Sequence, residues 1–236
     1  MKLLAFETAT EACSVALYLD GDVHERFDIT PRRHAELALP WAEALLAEAG
    51  VAKRQLDAIA FGRGPGAFTG VRLAVALAQG VALALDRPVL PVSTLQVLAA
   101  QSTSEHIVAS IDARMGEVYA AAFAGPRDAW QPLSAETVSA PDAVALPEVP
   151  GGWHGVGTGF AAAEGSLRNH LQSHLLAVDA QALPHAAALA RLAALAFARG
   201  EALAPEQAEP AYLRNNVALT LQEQQALRAS RNNAAP

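Results

Sequence analysis

The sequence predicts an α/β fold built from two related mixed-sheet halves, and two observations carry that prediction. The N-terminal part runs strand, strand, strand and then alternates helices with strands, the order of an antiparallel meander continued by parallel strands through helical crossovers. A shift of 105 residues then lays HIVASIDARMGEVYAAAF over the N-terminal strands, matching Phe6 with Ile111, Glu7 with Asp112, Cys13 with Val118 and Tyr18 with Phe123. Each copy reads as an apolar strand ending in a carboxylate, a short turn and a second apolar strand.

KLLAFE and CSVALYL alternate as strands do: Cys13, Val15, Leu17 and Leu19 share one face, and Ser14, Ala16 and Tyr18 the other. Asp20-Gly21-Asp22 is a tight hairpin signal, and VHERFDI completes a third strand. Pro31 precedes a helix from about Arg33 to Ala49, in which Leu37, Trp41, Ala44, Leu45 and Ala49 follow helical spacing until Gly50 stops it. DAIAFGRG gives another strand, and the glycine turn GRGPGAFTG leads into the second helix, which the Thr69 hydroxyl is expected to cap. VLPVS is a fifth strand, followed by a helix over Leu95 to Ala100.

The second half is less regular. Residues 125–152, rich in Pro, Ala and Gly, predict loop with one short helix after Pro141. GGWHGVGTGF is a further glycine-rich strand-to-turn passage, and Pro184 opens the amphipathic helix PHAAALARLAALAFARG. The expected division is a first domain over 1–103, a second over 104–213, and a polar tail over 214–236. That tail is expected to be partly helical, packing back on the first domain, and to fray at its tip.

With 52% apolar and 17% charged residues in 236, the chain is globular rather than disordered. Its most apolar stretch, Val71 to Leu85, is short for a bilayer and carries Arg72 and Gln79, so it reads as a buried core helix and no membrane span is expected. The N-terminus MKLLAFETAT lacks the apolar region of a signal peptide, which points to the cytoplasm. The single cysteine, Cys13, sits in an alternating apolar run and reads as a small buried hydrophobe in a reducing compartment. A formal net charge of −7, with one short basic cluster at Arg32, Arg33 and His34, argues against gripping nucleic acid unaided.

The glycine turn raises the question of phosphate. A glycine-rich turn entering a helix aims N–H groups and the positive dipole end at one point. The spacing fits neither common fingerprint: five residues after Gly62, Gly64 or Gly66 stand Ala67, Thr69 and Val71, with no Lys following. The dinucleotide pattern, entered at Gly64 and Gly66, needs its third Gly at Thr69. The residues favour a structural turn over an autonomous phosphate site.

With both halves in view, the chain resembles the sugar kinase, Hsp70 and actin superfamily, and within it the TsaB (YeaZ-type) family of tRNA threonylcarbamoyladenosine biosynthesis. The resemblance rests on LLAFETATEACSVAL, RRHAELALP, GRGPGAFTGVRLAVALAQGVA, PVSTLQVLA, DARMGEVYAA and PAYLRN, spread through the chain up to Asn215. It implies a duplicated actin-like fold and a non-catalytic role: TsaB pairs with its paralogue TsaD, which transfers the threonylcarbamoyl group to an adenosine beside the tRNA anticodon, and the ATPase TsaE docks on the pair. It further implies contact with tRNA only through the complex, self-pairing when TsaD is missing, no cofactor and a cytoplasmic location. An enzyme of the same superfamily, metallopeptidase or small-molecule kinase, is the alternative, and a self-associating structural protein a third.

The chemistry of the residues bears on that choice. Members like TsaD carry two histidines four apart after the strand that here reads PVSTLQVLA, which places Thr94 and Leu98 where imidazoles would be; neither replaces one on a metal. His34 and Glu36 read as structural or interfacial, and His170 and His174 as a solvated helix face. Glu7 stands where superfamily kinases place an Asp, and with Thr8, Gly64, Gly66 and Asp112 it marks a vestigial phosphate or nucleotide cleft. Along the second helix, Leu73, Leu77, Val81 and Leu85 form a large apolar row expected to bury on the sheet, and Gly70, Ala74, Ala78 and Ala82 a small row expected to admit another helix. By sequence alone the small row serves the chain's own first helix equally well. The resemblance assigns it to a partner interface of Leu37, Trp41, Thr69, Arg72, Ala74 and Ala78.

Overall fold

A computed structural model describes residues 1–125 and 130–214 of the chain; the expected polar tail lies almost wholly outside the described residues. Lys2–Glu7 (β1), Ala12–Leu19 (β2) and Asp22–Ile29 (β3) form the antiparallel meander, with Phe6 opposite Val15 and Leu17 opposite His24. His34–Glu48 (α1) follows, then Ala58–Gly62 (β4), parallel to β1, Phe68–Leu85 (α2) and Val89–Val92 (β5), parallel to β4. The first sheet therefore runs β3-β2-β1-β4-β5. Thr94–Ala99 (α3) leads to His106–Arg114 (β6) and Glu117–Ala124 (β7), an antiparallel pair whose outer edge takes Gln131–Pro132 (β8) and Thr137–Ser139 (β9). Trp153–Val156 (β10), Ser166–His170 (α4), Leu175–Asp179 (β11) and Ala186–Ala198 (α5) complete the order, with β10 and β11 parallel beyond β6. A hairpin, a third strand on its outer edge and two parallel strands on the other side recur in both sheets, so the halves share one topology.

The repeat holds, with one correction to its register. Cys13, Val15 and Leu17 face the outer core of the first sheet, and Val118, Ala120 and Ala122, 105 residues on, face that of the second. The strand before it is offset by 104: Leu3 and Ala5 share the inner core with Ile107 and Ala109, and Phe6 opposite Val15 corresponds to Ser110 opposite Ala120. Because side chains alternate with period two, the 105 shift had put Phe6 and Ile111 on opposite faces. The extra residue is absorbed at the irregularity between Asp112 and Arg114, so Glu7 corresponds to Ile111, and Asp112 lies one step beyond it.

Alternation along the strands builds the layers. Leu4, Phe6, Ile59 and Phe61 pack under α1 and α2, while Leu3, Ala5, Ala58 and Ala60 face inward to a core shared with α3, α5 and the second sheet. Residues 184–213, grouped by sequence with the second half, return to the first: α5 lies across β1 to β5, and Leu203 bridges Val89. The N-terminus of α5 is capped from a distance, since Ala186 N–H donates to Ser14 Oγ (2.8 Å) and Ala187 N–H to Glu25 (2.9 Å). Each sheet with the helices on it forms a lobe.

Three further sequence expectations change. Helix α2 starts at Phe68 with Ala67 as N-cap and no side-chain cap, so Thr69 is an exposed first-turn residue rather than the cap. At 18 residues and mean hydropathy 1.7, α2 is long and apolar enough to cross a membrane, but here Val71, Ala74, Val75, Ala78 and Ala82 build it into the core of the first lobe. The 125–152 stretch carries β8 and β9 besides a 3-10 turn at Pro141–Ala143, and β11 was not foreseen.

Candidate functional site

At the end of β4 the chain must pass a buried carboxylate. Glu7 is fully buried; its Oε1 accepts from Ala9 N–H (2.9 Å) and its Oε2 from the Thr94 hydroxyl (3.2 Å). A Cβ on Gly62 would lie 2.1 Å from Oε2, so glycine is what allows β4 to run beside it. The longer carboxylate thus turns inward, pointing away from the cleft where a metal or phosphate would sit. Burial drives the Glu7 carboxyl up to about 7, against the opposing pull of hydrogen bonds from Ala9 N–H, the Thr94 hydroxyl and Thr8 N–H.

The turn itself is filled by the chain's own backbone. A Cβ on Gly66 would lie 2.4 Å from the Ala9 carbonyl oxygen, showing how closely the turn rests on the loop after β1. Ala67 N–H donates to that carbonyl (2.7 Å), the Thr8 hydroxyl to the Gly70 carbonyl (2.7 Å), and Thr94 N–H to the Gly64 carbonyl (3.0 Å). Two of the donors at this turn, Ala67 N–H and the Thr8 hydroxyl, are spent on holding two loops together.

A cleft of about 1030 Å³ opens between the lobes in front of this turn. Thr8, Gly66 and Asp112 line it; Glu7 and Gly64 do not. Asp112 pairs with Arg114, accepting from its N–H (2.8 Å) and its guanidinium (2.8 Å), a partner the sequence did not disclose. His34 Nε2 lies 3.0 Å from the Thr10 carbonyl oxygen and 3.2 Å from that of Ala12; two acceptors require the proton on Nε2, which ties the loop after β1 to α1. Glu36 pairs with Arg33 in solvent. His170 ends α4 and binds the Val144 carbonyl oxygen (3.0 Å), and His174 lies beyond the helix, so the pair does not share a helical face. Among the described residues no group of three or more His, Cys, Asp or Glu side chains could hold a metal ion. At the two positions matching the histidine pair, Leu98 is core and Thr94 serves Glu7, a set that does not fit a metal.

The outer face of α1 and α2 is the other candidate. Leu37 and Trp41 are half-buried there, and Thr69 and Arg72 are exposed. Ala74 and Ala78 are not surface residues: both are fully buried against the first sheet. The sequence reading had the rows reversed. Phe6, Ile59 and Phe61 stand on the sheet beneath, and the helix settles on these large side chains through its small ones. The large row of Leu73, Leu77, Val81 and Leu85 is left half-buried beside α1, and a second small row of Ala76, Gly80 and Ala84 faces out. That row was legible at i, i+4 spacing but was passed over. Arg63 with its partner Glu136, and Tyr212 and Arg214 on the wall of the cleft, were also missed; the PAYLRN stretch carried only the family resemblance.

Comparison with known proteins decides the family. A relative from Escherichia coli, described as tRNA threonylcarbamoyladenosine biosynthesis protein TsaB, is 41% identical over 92% of this chain and 96% of its own length. The chain belongs to the TsaB family. A second TsaB, from Haemophilus influenzae, is 36% identical over 92% of this chain and 95% of its own. The solved structure described as YeaZ from Pseudomonas aeruginosa superposes with a TM-score of 0.82 at 45% identity, covering 90% of this chain and 99% of that one, which gives the actin-like two-lobed fold a solved counterpart. Residues 24–221 also match the family profile "TsaD: tRNA N6-adenosine threonylcarbamoyltransferase", so TsaB proteins and that transferase share a common architecture.

Proposed function

We propose that this chain serves threonylcarbamoyladenosine formation in tRNA as the non-catalytic partner and activator of TsaD. The single observation that carries the reading is the inward-turned carboxylate beside the glycine turn. Glu7 is folded inward onto Thr94, and the glycine loop is bonded to the chain's own backbone, in the place where superfamily members handle phosphate. What remains to offer is surface. The docking face is the outward row of Thr69, Arg72, Ala76, Gly80 and Leu83 with the flanking Leu37 and Trp41. Small residues let a partner helix approach closely, and the half-buried large ones supply the apolar area that association removes from water. In this reading the same face pairs two copies when TsaD is missing, TsaE docks on the heterodimer, tRNA is held elsewhere in the complex, and the assembly works in the cytoplasm.

The test is reconstitution of the tRNA modification from TsaD, TsaE and a threonylcarbamoyl adenylate source, with and without this chain. Product is expected only with it. An Ala76→Glu variant, which places a charge on the exposed row, is expected to keep its circular dichroism spectrum and melting temperature while losing copurification with TsaD. Full modification in the chain's absence overturns the role, and intact copurification of Ala76→Glu overturns the docking face.

A further inference from the structure

We propose that the glycine turn is the hub of a lock that holds the two lobes at one angle. Arg63, the first residue after β4, bonds in three directions. Its N–H donates to the Val92 carbonyl (2.9 Å), seating it on the first sheet, and its own carbonyl accepts from Ala211 N–H (2.8 Å). Its guanidinium crosses to Glu136, next to β9 in the second lobe, with Nη1 and Nη2 3.0 and 2.8 Å from the two carboxylate oxygens. That fork-to-fork pair is sheltered, the Glu136 side chain being 16% exposed and that of Arg63 32%.

From Ala211 the chain continues as a strap over the cleft. The Tyr212 hydroxyl accepts from Arg72 Nε (2.7 Å), and the Arg72 guanidinium lies 3.8 Å from the centre of the Phe68 ring, which fastens the strap to the start of α2. Two residues on, Arg214 donates to the Ala113 carbonyl (3.1 Å) and to the Glu117 carboxylate, both in the β6–β7 hairpin of the second lobe. Two arginine–carboxylate ties therefore span the lobes, and the strap bearing the second hangs from the backbone of the residue that makes the first. Parting the lobes would break both. A two-lobed machine that turns over a ligand opens and closes about it, and this lock opposes that motion.

Hydrogen exchange read by mass spectrometry and small-angle scattering on the isolated chain test it. Glu136→Gln and Arg214→Gln are each expected to speed exchange about tenfold in residues 209–214 and in the β6–β7 hairpin, the scale of one lost charge-assisted bond. The radius of gyration should rise while the far-ultraviolet spectrum stays unchanged. The reversed pair, Arg63→Glu with Glu136→Arg, should restore slow exchange. Should Arg214→Gln unfold the chain, Glu136→Gln alone decides. Unchanged exchange and scattering overturn the lock, as does a reversed pair that fails to restore what Glu136→Gln loses. TsaD does not enter the experiment, and parent and variants are compared as monomers separated by size exclusion, so a failure here is separable from a failure of the TsaD reading.

Discussion

An Ala78→Glu substitution is expected to unfold the chain, although its neighbour Ala76 should accept the same change with little effect. Ala78 has no exposed surface and packs in the core of the first lobe beneath α2. A glutamate there has two outcomes: it takes an unpaired carboxylate into an apolar layer, or it lifts the helix off the sheet and exposes that layer. Either costs upwards of about 4 kcal/mol, comparable with the whole stability of many domains. Ala76 lies in solvent on the opposite side of the same helix, where a substitution changes stability by less than about 0.5 kcal/mol. Thermal melts followed by circular dichroism separate the two, with a cooperative transition for Ala76→Glu near that of the parent and none for Ala78→Glu. A folded, monomeric Ala78→Glu chain that has lost only its association would show that the small buried row is the interface after all.

That contrast also marks where the sequence was legible. The strands were readable because alternation is a property of each strand alone: Cys13, Val15 and Leu17 go to one core, Ala16 and Tyr18 to the other. The orientation of α2 was not, because the helix carries apolar rows all round and the choice between them is made by the sheet. Phe6, Ile59 and Phe61 supply the bulk, so alanines close the layer and leucines are left at its margin, a matching of volumes between segments far apart in the chain. The surroundings of Glu7 were half legible for a similar reason. A carboxylate ending β1 is visible in the sequence, but its direction is set by Gly62 and Thr94, on other elements. The link from Arg63 to Glu136, 73 residues away, and the strap around Tyr212 belong to tertiary structure that no local pattern encodes.

Glu7→Gln should make the chain more stable in mild alkali and leave it unaltered in acid. The folded chain holds the Glu7 carboxyl at about 7, whereas its ordinary value is 4.5. Below 4.5 the group is neutral folded and unfolded, and its contribution is fully present. As pH rises the unfolded chain ionises first, and the native state is pulled toward unfolding until it too ionises above about 7. A gap of this size amounts to roughly 3 kcal/mol of stability lost between pH 4.5 and 8. Glutamine has the same shape beside Gly62, its oxygen can accept from Ala9 N–H, its amide can donate to the Thr94 hydroxyl, and it does not ionise. Other titrating groups act equally on parent and variant, so the difference between their urea midpoints at pH 5, 6.5 and 8 isolates this one carboxyl. The difference should be under about 1 kcal/mol at pH 5 and grow to roughly 3 kcal/mol at pH 8 in favour of the variant. Parallel curves across that range would mean that the carboxylate is already ionised in the folded chain at pH 5, with its charge satisfied by the N–H groups of Thr8 and Ala9.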